Sequence, residues 1–294
     1  MSDAKILAVD LGGTRFRAGL ATRDVPAAVQ AIGDWPAPRD RQSFIALLAE
    51  QLANTGATHL GIGVPGLARG TTCIWIPNLP YLDGLDLTEA LPGVSVALGN
   101  DAQFALVAEA AAGAARDVDD ALLLAIGTGI GSAVLAGGQI VTGSSGGACS
   151  FGWAVADLAD PGEDTSGWLE RVASGRALDA IAKGVGLADG TALAEAARAG
   201  NTAALVALEA PMHALGTTLA GAVALLDPGI VVLAGGVVRS LDVLSPLILV
   251  SLRRHLPRHL RGVDIKAGQF GARAGLVGAA FAGSRGPHWR KQHG

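Results

Sequence analysis

The sequence predicts an α/β protein with length enough for two domains, on three observations. Its 294 residues are 50% hydrophobic and only 16% charged, which provides the apolar surface for a large buried core. Aliphatic runs of strand length alternate with Ala-rich runs of helical spacing. Two stretches, ILAVDLGGTRFRAGLA and ALLLAIGTGIGSAVLAGG, share a design of apolar strand, Gly/Thr turn and apolar strand, a sign of internal duplication.

Bulk properties narrow the function classes. A net charge of -4 gives no general attraction to phosphate backbones or anionic membranes, and aromatics at 4% leave few platforms for stacking bases. Nucleic acid is therefore not an expected partner. Cys73 and Cys149 are too few for a disulfide scaffold or a three-thiolate zinc site, which fits a reducing compartment. The start, MSDAKILAVD, lacks a long apolar signal core, and the most apolar later stretch is interrupted by Glu209, Pro211 and His213. The expectation is a cytoplasmic protein without a membrane span.

In chain order, Lys5 to Ala21 reads as a strand ending near Asp10, a turn at Gly12-Gly13-Thr14 and a returning strand. Glycines there let backbone N–H groups approach an anion, and Thr14 adds a hydroxyl donor, so the turn suits a phosphate tail; an ordinary tight hairpin is the alternative. Asp10 is placed to hold a hydrated Mg²⁺, an ion usually bound through one or two carboxylates plus phosphates. No GxxxxGK[ST] or GxGxxG opens a helix here. Ser43 to Asn54 has helical spacing with Ser43 as its cap. HLGIGVPG is a buried strand, and the loop IWIPNLPYLDG after it carries Asn78 and Asp83, Asn78 being either a hydroxyl contact or a turn former.

Val94, Val96 and Leu98 alternate as a strand, and the Ala-rich run after Asp101 reads as a helix. Asp101 thus sits at a strand end, either facing a cleft or capping the helix. The second hairpin turns at Gly127-Thr128-Gly129, matching Gly12-Gly13-Thr14. GSSGGACSFG is a flexible loop followed by Trp153 and an acidic segment, and Glu170 either touches a ligand or favours the positive end of its helix. Residues 176 to 226 read as helices broken near Gly184 to Gly190 and at Gly200. After the apolar strand Ile230 to Leu233, Gly235-Gly236 suits either a flat adenine-like group on bare backbone or close packing. Arg253 to Arg261 form a basic, solvated face, and GSRGPHWRKQHG reads as a frayed end.

From Ile6 to about Ala282 the chain resembles the ROK sugar kinases (repressor, open reading frame, kinase). The ordered set AVDLGGT, GIGVPG, PNLPYLDG, GNDA, LLAIGTGIGSAVLAGG, WLERVASGRAL and LDPGIVVLAGGVV carries the resemblance. It implies a two-domain actin-like ATPase (ribonuclease H-like) fold with an interdomain cleft. The smaller α/β domain would span 1–113 and the larger 114–294, with a terminal helix near 272–283 returning to the first. It also implies ATP with Mg²⁺ as phosphate source, polyphosphate being the alternative donor, and a homodimer. By position, Asp101 would be the general base that deprotonates a sugar hydroxyl. Asn78, Asn100 and Glu170 would contact the sugar. Gly12, Gly13, Thr14, Gly127, Thr128, Gly129, Gly235 and Gly236 would bind the nucleotide, and Asp10 the Mg²⁺ through water.

Two departures from the family pattern alter the expected substrate. GExGH reads Cys149-Ser150-Phe151-Gly152-Trp153, so Ser150 and Trp153 replace a Glu and a His that grip sugar hydroxyls. The zinc run CxCGxxGC is absent, and Gly162 to Trp168 reads GEDTSGW, so no zinc is expected and the loop would be held by packing, through Trp153 and Trp168. The acceptor would be a related sugar or polyol with Trp153 stacked on a carbon-hydrogen face. The competing readings are a catalytically idle sugar sensor, without the helix-turn-helix of the family's repressors, and another actin-like ATPase.

Overall fold

The computed structural model describes residues 4–291. Its first sheet is built from β1 (Lys5–Leu11), β2 (Arg15–Thr22), β3 (Gln30–Pro36), β4 (His59–Val64) and, after the small hairpin β5 (Leu67–Arg69) and β6 (Thr72–Trp75), β7 (Ser95–Asn100). The order is β3-β2-β1-β4-β7. β1, β2 and β3 pair antiparallel because tight connections join them, whereas β4 and β7 add parallel through crossovers. Two helices come from the same stretch, α1 (Arg41–Thr55) and the short α2 (Leu87–Ala90), and α3 (Asp101–Ala112) follows β7. Asp40, not Ser43, caps α1: the Ser43 N–H donates to its Oδ1 at 2.8 Å.

The second sheet holds β8 (Ala121–Ile126), β9 (Ile130–Ala136), β10 (Gln139–Ile140), β11 (Ile230–Gly235) and β12 (Ile265–Ala267) in the order β10-β9-β8-β11-β12. Counted within its own half, this is the strand order of the first sheet. The duplication faint in the letters is thus plain in the topology. Between β10 and β11 lie α4 (Trp168–Ala173), α5 (Gly175–Gly184), α6 (Gly190–Arg198) and α7 (Thr202–Leu226), and α8 (Leu241–Arg254) precedes β12.

The chain divides into two compact units, one of residues up to Asp119, Ala133–Ala148 and from Ala272 onward, the other of Asp120–Ser132 and Cys149–Gly271. In the first, Leu7, Val9, Phe16, Phe44, Leu48 and Ile62 are sealed from solvent, and Phe16 meets Trp35 and Phe44 edge-on. A terminal helix, Ala274–Arg285, rich in Ala and Gly, lies on α3, β1 and β4 of this unit. The second unit buries the leucines and valines of β8 and β11 with Leu208, Leu215 and Leu219 of α7. Helix α7 is, among the described residues, the one long and apolar enough to cross a membrane, and half of that window is buried inside the fold. It runs unbroken through Pro211, which is buried within it.

The chain end departs from the frayed segment expected. A 3₁₀ turn at Gly286–His288 delivers Trp289 into the first unit, 2% exposed, edge-on to Phe104 at 5.0 Å between centroids. One large aromatic side chain is enough to order a polar tail, because burying it returns roughly 2–3 kcal/mol. The last three residues of that segment lie outside the described ones.

Candidate active site

In the first unit the candidate residues gather around the β1–β2 turn and the β7–α3 junction. The turn closes with the Gly12 N–H donating to the Arg15 carbonyl at 2.8 Å, and Gly13 and Thr14 are exposed at its tip. Asn78 stands over it: a side chain on Gly13 would begin 3.1 Å from the Asn78 Cβ. The loop bearing Asn78 is fixed from beneath. Asp83 accepts the Ile76 N–H at 2.7 Å, and Arg41 donates to the carbonyls of Tyr81 and Asp83 at 3.0 and 2.8 Å. Asp83 is therefore a loop brace, and Arg41, an ordinary surface arginine in sequence, is its partner.

Asp10, one residue from the end of β1, faces Arg17, its ladder partner on β2, at 3.5 Å. Burial pushes the Asp10 carboxyl up, and the Arg17 guanidinium partly offsets this.

At the β7–α3 junction the structure separates two neighbouring polar residues. Asn100 is the helix cap: its Oδ1 accepts the Gln103 N–H at 2.7 Å, and the Gln103 side chain returns a bond to the Asn100 N–H, a capping box. The cap function therefore falls on Asn100, not on Asp101. Asp101 is the first helical residue, with one oxygen on the Ala102 N–H at 2.7 Å. The residue is exposed to solvent, yet the protein crowding its carboxyl disfavours the charged form. Desolvation is the largest influence and raises its pKa, the nearby Asp10 charge adds to this, and the Ala102 N–H opposes it. Behind the pair, Gly99 permits close packing: a Cβ there would lie 2.7 Å from the Phe104 ring and 2.9 Å from the Trp289 ring. Trp289 is thus a supporting residue that its polar surroundings in sequence concealed.

In the second unit the β8–β9 turn exposes Gly127 and Thr128, with the Gly127 N–H on the Gly129 carbonyl at 2.9 Å. A cavity of about 220 Å³ opens beside it, lined by Gly127, Thr128, Arg176, Asp179, Gly236 and Leu244 among others. The Gly235-Gly236 pair splits by role. Gly235 has φ +84° and a Cβ there would sit 2.4 Å from the Ile126 carbonyl, so it serves strand packing, whereas Gly236 faces open space at the cavity.

Glu170, in the first turn of α4, is a brace to this turn. One oxygen accepts the Ile130 N–H at 3.2 Å and the other accepts from Arg176 at 3.0 Å. It comes so close that a Cβ on Gly129 would be 2.7 Å from its Oε2.

Ser150 and the half-exposed Trp153 flank a 3₁₀ turn, Phe151–Trp153. Ser132 anchors it, its hydroxyl donating to the Cys149 carbonyl and accepting the Phe151 N–H. Cys149 has φ +68°, a left-handed conformation that costs a non-glycine residue roughly 1–2 kcal/mol. Arg171 ties down the acidic loop that follows, donating to the Ser166 carbonyl at 2.6 Å, ion-pairing with Asp160 and lying 3.3 Å from Glu163, and Gly167 at the loop's end abuts the Trp153 backbone. Among the described residues no three His, Cys, Asp or Glu side chains gather as a metal-holding group.

Twin sheets of one strand order, each with a glycine turn after its first strand, are the actin-like ATPase fold, and they match solved sugar kinases of that fold. The chain belongs to the ROK family, whose model matches residues 6–283. It is 30% identical to a glucokinase of Thermotoga maritima over 95% of this chain and 97% of that one. It is 29% identical to an N-acetylmannosamine kinase of Shigella boydii, over 94% and 97%. A ROK family glucokinase from Streptomyces griseus, solved with glucose and AMPPNP, aligns with a TM-score of 0.76 at 26% identity, covering 96% of this chain and 100% of that one. These similarities support an ATP-dependent sugar phosphotransferase as the class of protein.

Proposed function

We propose that the chain transfers the terminal phosphate of ATP to a hydroxyl group of a sugar, with Asp101 as general base. The observation that carries this reading is the freedom of Asp101: Asn100 takes over the cap, leaving a solvent-reachable, poorly hydrated carboxylate at a strand end. Such a group holds a proton more tightly than an ordinary aspartate, as a base for an alcohol requires. Asp101 takes the hydroxyl proton as the sugar oxygen attacks the terminal phosphorus, and the bond to the bridging oxygen breaks to release ADP. Phosphoryl transfer otherwise depends on positioning and charge stabilisation.

Asn78 and the Asn100 amide serve as hydroxyl contacts, and Gly12, Gly13 and Thr14 bind the terminal phosphate. Gly127, Thr128 and Gly129 cradle phosphates, and the cavity at Gly236 takes the nucleoside. Asp10, a largely buried carboxylate at a strand end, is a donor that fits Mg²⁺ held through water, an ion that would neutralise charge on the phosphate oxygens. Ser150 and Trp153 favour a sugar or polyol presenting a carbon-hydrogen face to the indole, and tight phosphorylation of glucose would count against that. A cytoplasmic homodimer acting on small molecules rather than nucleic acid completes the reading, on family resemblance and on the charge balance.

The test is a coupled ADP-release assay over hexoses, amino sugars, ketoses and polyols, with Asp101→Asn beside the wild type. Turnover with one acceptor should fall about 10²- to 10⁴-fold in the variant while AMPPNP binding is unchanged. Near-normal turnover in Asp101→Asn would remove the base from this site.

A further inference from the structure

Arg176 opens α5 beside the second glycine turn and takes part in two structures at once. Its Nε donates to the Thr128 carbonyl at 3.2 Å, and its Nη2 donates to Glu170 at 3.0 Å. The same side chain lines the cavity that Gly127 and Thr128 border. It is 63% exposed, and its partner Glu170 is 24% exposed.

Two charges therefore stand at the turn: an acid wedged under Gly129 and an arginine bonded to it at the cavity wall. A phosphate chain entering this turn meets the Glu170 carboxylate as a like charge unless Arg176 neutralises it. The ion pair, with Arg176 well exposed, is a weak bond. A guanidinium fork on phosphate oxygens is stronger and geometrically specific. The weak bond to Glu170 is therefore a small obstacle to Arg176 turning its guanidinium to the phosphate oxygens, from where it still lies close enough to offset the Glu170 charge.

We infer that Arg176 is a phosphate-binding residue, held by Glu170 until a nucleoside polyphosphate enters the second unit and then handed to the phosphate chain. This rests on the sugar-kinase reading above, in which that cavity receives ATP. The residue would anchor the chain of phosphates to the turn, and Glu170 would give up one bond in the exchange while keeping the other on the Ile130 N–H.

Isothermal titration of adenosine and AMPPNP in magnesium buffer separates this role from a merely structural one. Arg176→Ala should weaken AMPPNP by about 10- to 100-fold, the loss expected for a hydrogen bond to a charged group, and leave adenosine within about twofold. Arg176→Lys should restore part of the loss. Glu170→Gln should tighten AMPPNP and leave adenosine unchanged, because the competitor for Arg176 is gone. Unchanged AMPPNP binding in Arg176→Ala, equal weakening of both ligands, or weaker AMPPNP binding in Glu170→Gln would each overturn the inference and leave the kinase reading standing. A wild-type protein that binds neither ligand would overturn the kinase reading itself.

Discussion

Asp101 and Glu170 are both carboxylates in the first turn of a helix that follows a structured loop or strand, and the fold treats them in opposite ways. Among the described residues Asp101 makes no ion pair; Phe104 and Trp289 pack on the neighbouring Gly99, and desolvation favours its protonated form. Glu170 is bonded on both oxygens, to a backbone N–H and to Arg176. Desolvation without a counter-charge raises a carboxyl's proton affinity, the property the proposed base needs, whereas pairing makes a brace that fixes a turn. Both lie in a first helical turn, Asp101 as its first residue and Glu170 as its third, and they differ in what surrounds the acid.

The largest effect that sharpens this contrast is in pH. A base whose pKa is raised must lose its proton before it can act, so kcat/KM should fall about tenfold per pH unit below an apparent pKa higher than that of an ordinary aspartate. The sign on stability is opposite. The folded carboxyl keeps its proton longer than the unfolded one, so stability declines as pH rises from the unfolded to the folded pKa. Asp101→Asn should consequently raise the melting midpoint at neutral pH and leave it unchanged in acid below both values. A midpoint that drops at neutral pH would show the carboxylate to be paired after all.

Next in size is Trp289→Ala. Removing a fully packed indole costs about 3–5 kcal/mol, read as a lower denaturation midpoint. If apolar backing is what shapes the Asp101 environment, the acid limb of the pH profile should move toward the ordinary aspartate value in the surviving enzyme. An unmoved limb would confine Trp289 to stability.

On the other side of the comparison, Gly129→Ala drives a methyl group against Glu170 and should cost about 1–3 kcal/mol. The same change in a Glu170→Ala background should cost less, since the obstacle is gone, with a coupling of about 0.5–3 kcal/mol in a double-mutant cycle. Additivity would mean that the carboxylate does not press on the turn.

The parts of this site that were legible in sequence are those where residue type interrupts a periodic pattern. Gly12-Gly13-Thr14 and Gly127-Thr128-Gly129 announce turns because they break apolar strand runs, although only Gly13 and Gly129 are crowded by a neighbouring side chain, and the strand alternation before Asn100 places the junction. What stayed hidden was partner choice. Asn and Asp are equally good caps, so only coordinates assign the cap to Asn100 and release Asp101. Arg41, Arg171, Arg176 and Trp289 lie in unremarkable local contexts, and their roles arise from partners that folding brings to them.

Arg171 supplies the smallest effect, and it tests whether pairing rather than packing orders the second unit's loop. The hydrogen bond from Arg171 holds the Asp160 carboxyl below the usual aspartate range. A depressed folded pKa means that this tie contributes at every pH above the unfolded value and is lost as pH falls through the folded one. The segment from Asp160 to Ser166 should therefore keep its amide protection down to mildly acidic pH and lose it only in stronger acid. Arg171→Met, which retains length and apolar contact but no charge, should show the acid-state exchange rates already at neutral pH, with the global denaturation midpoint little changed because the loop is a surface element. Hydrogen exchange resolved to this segment decides the matter: equal protection in Arg171→Met and wild type would return the loop to packing by Trp153 and Trp168.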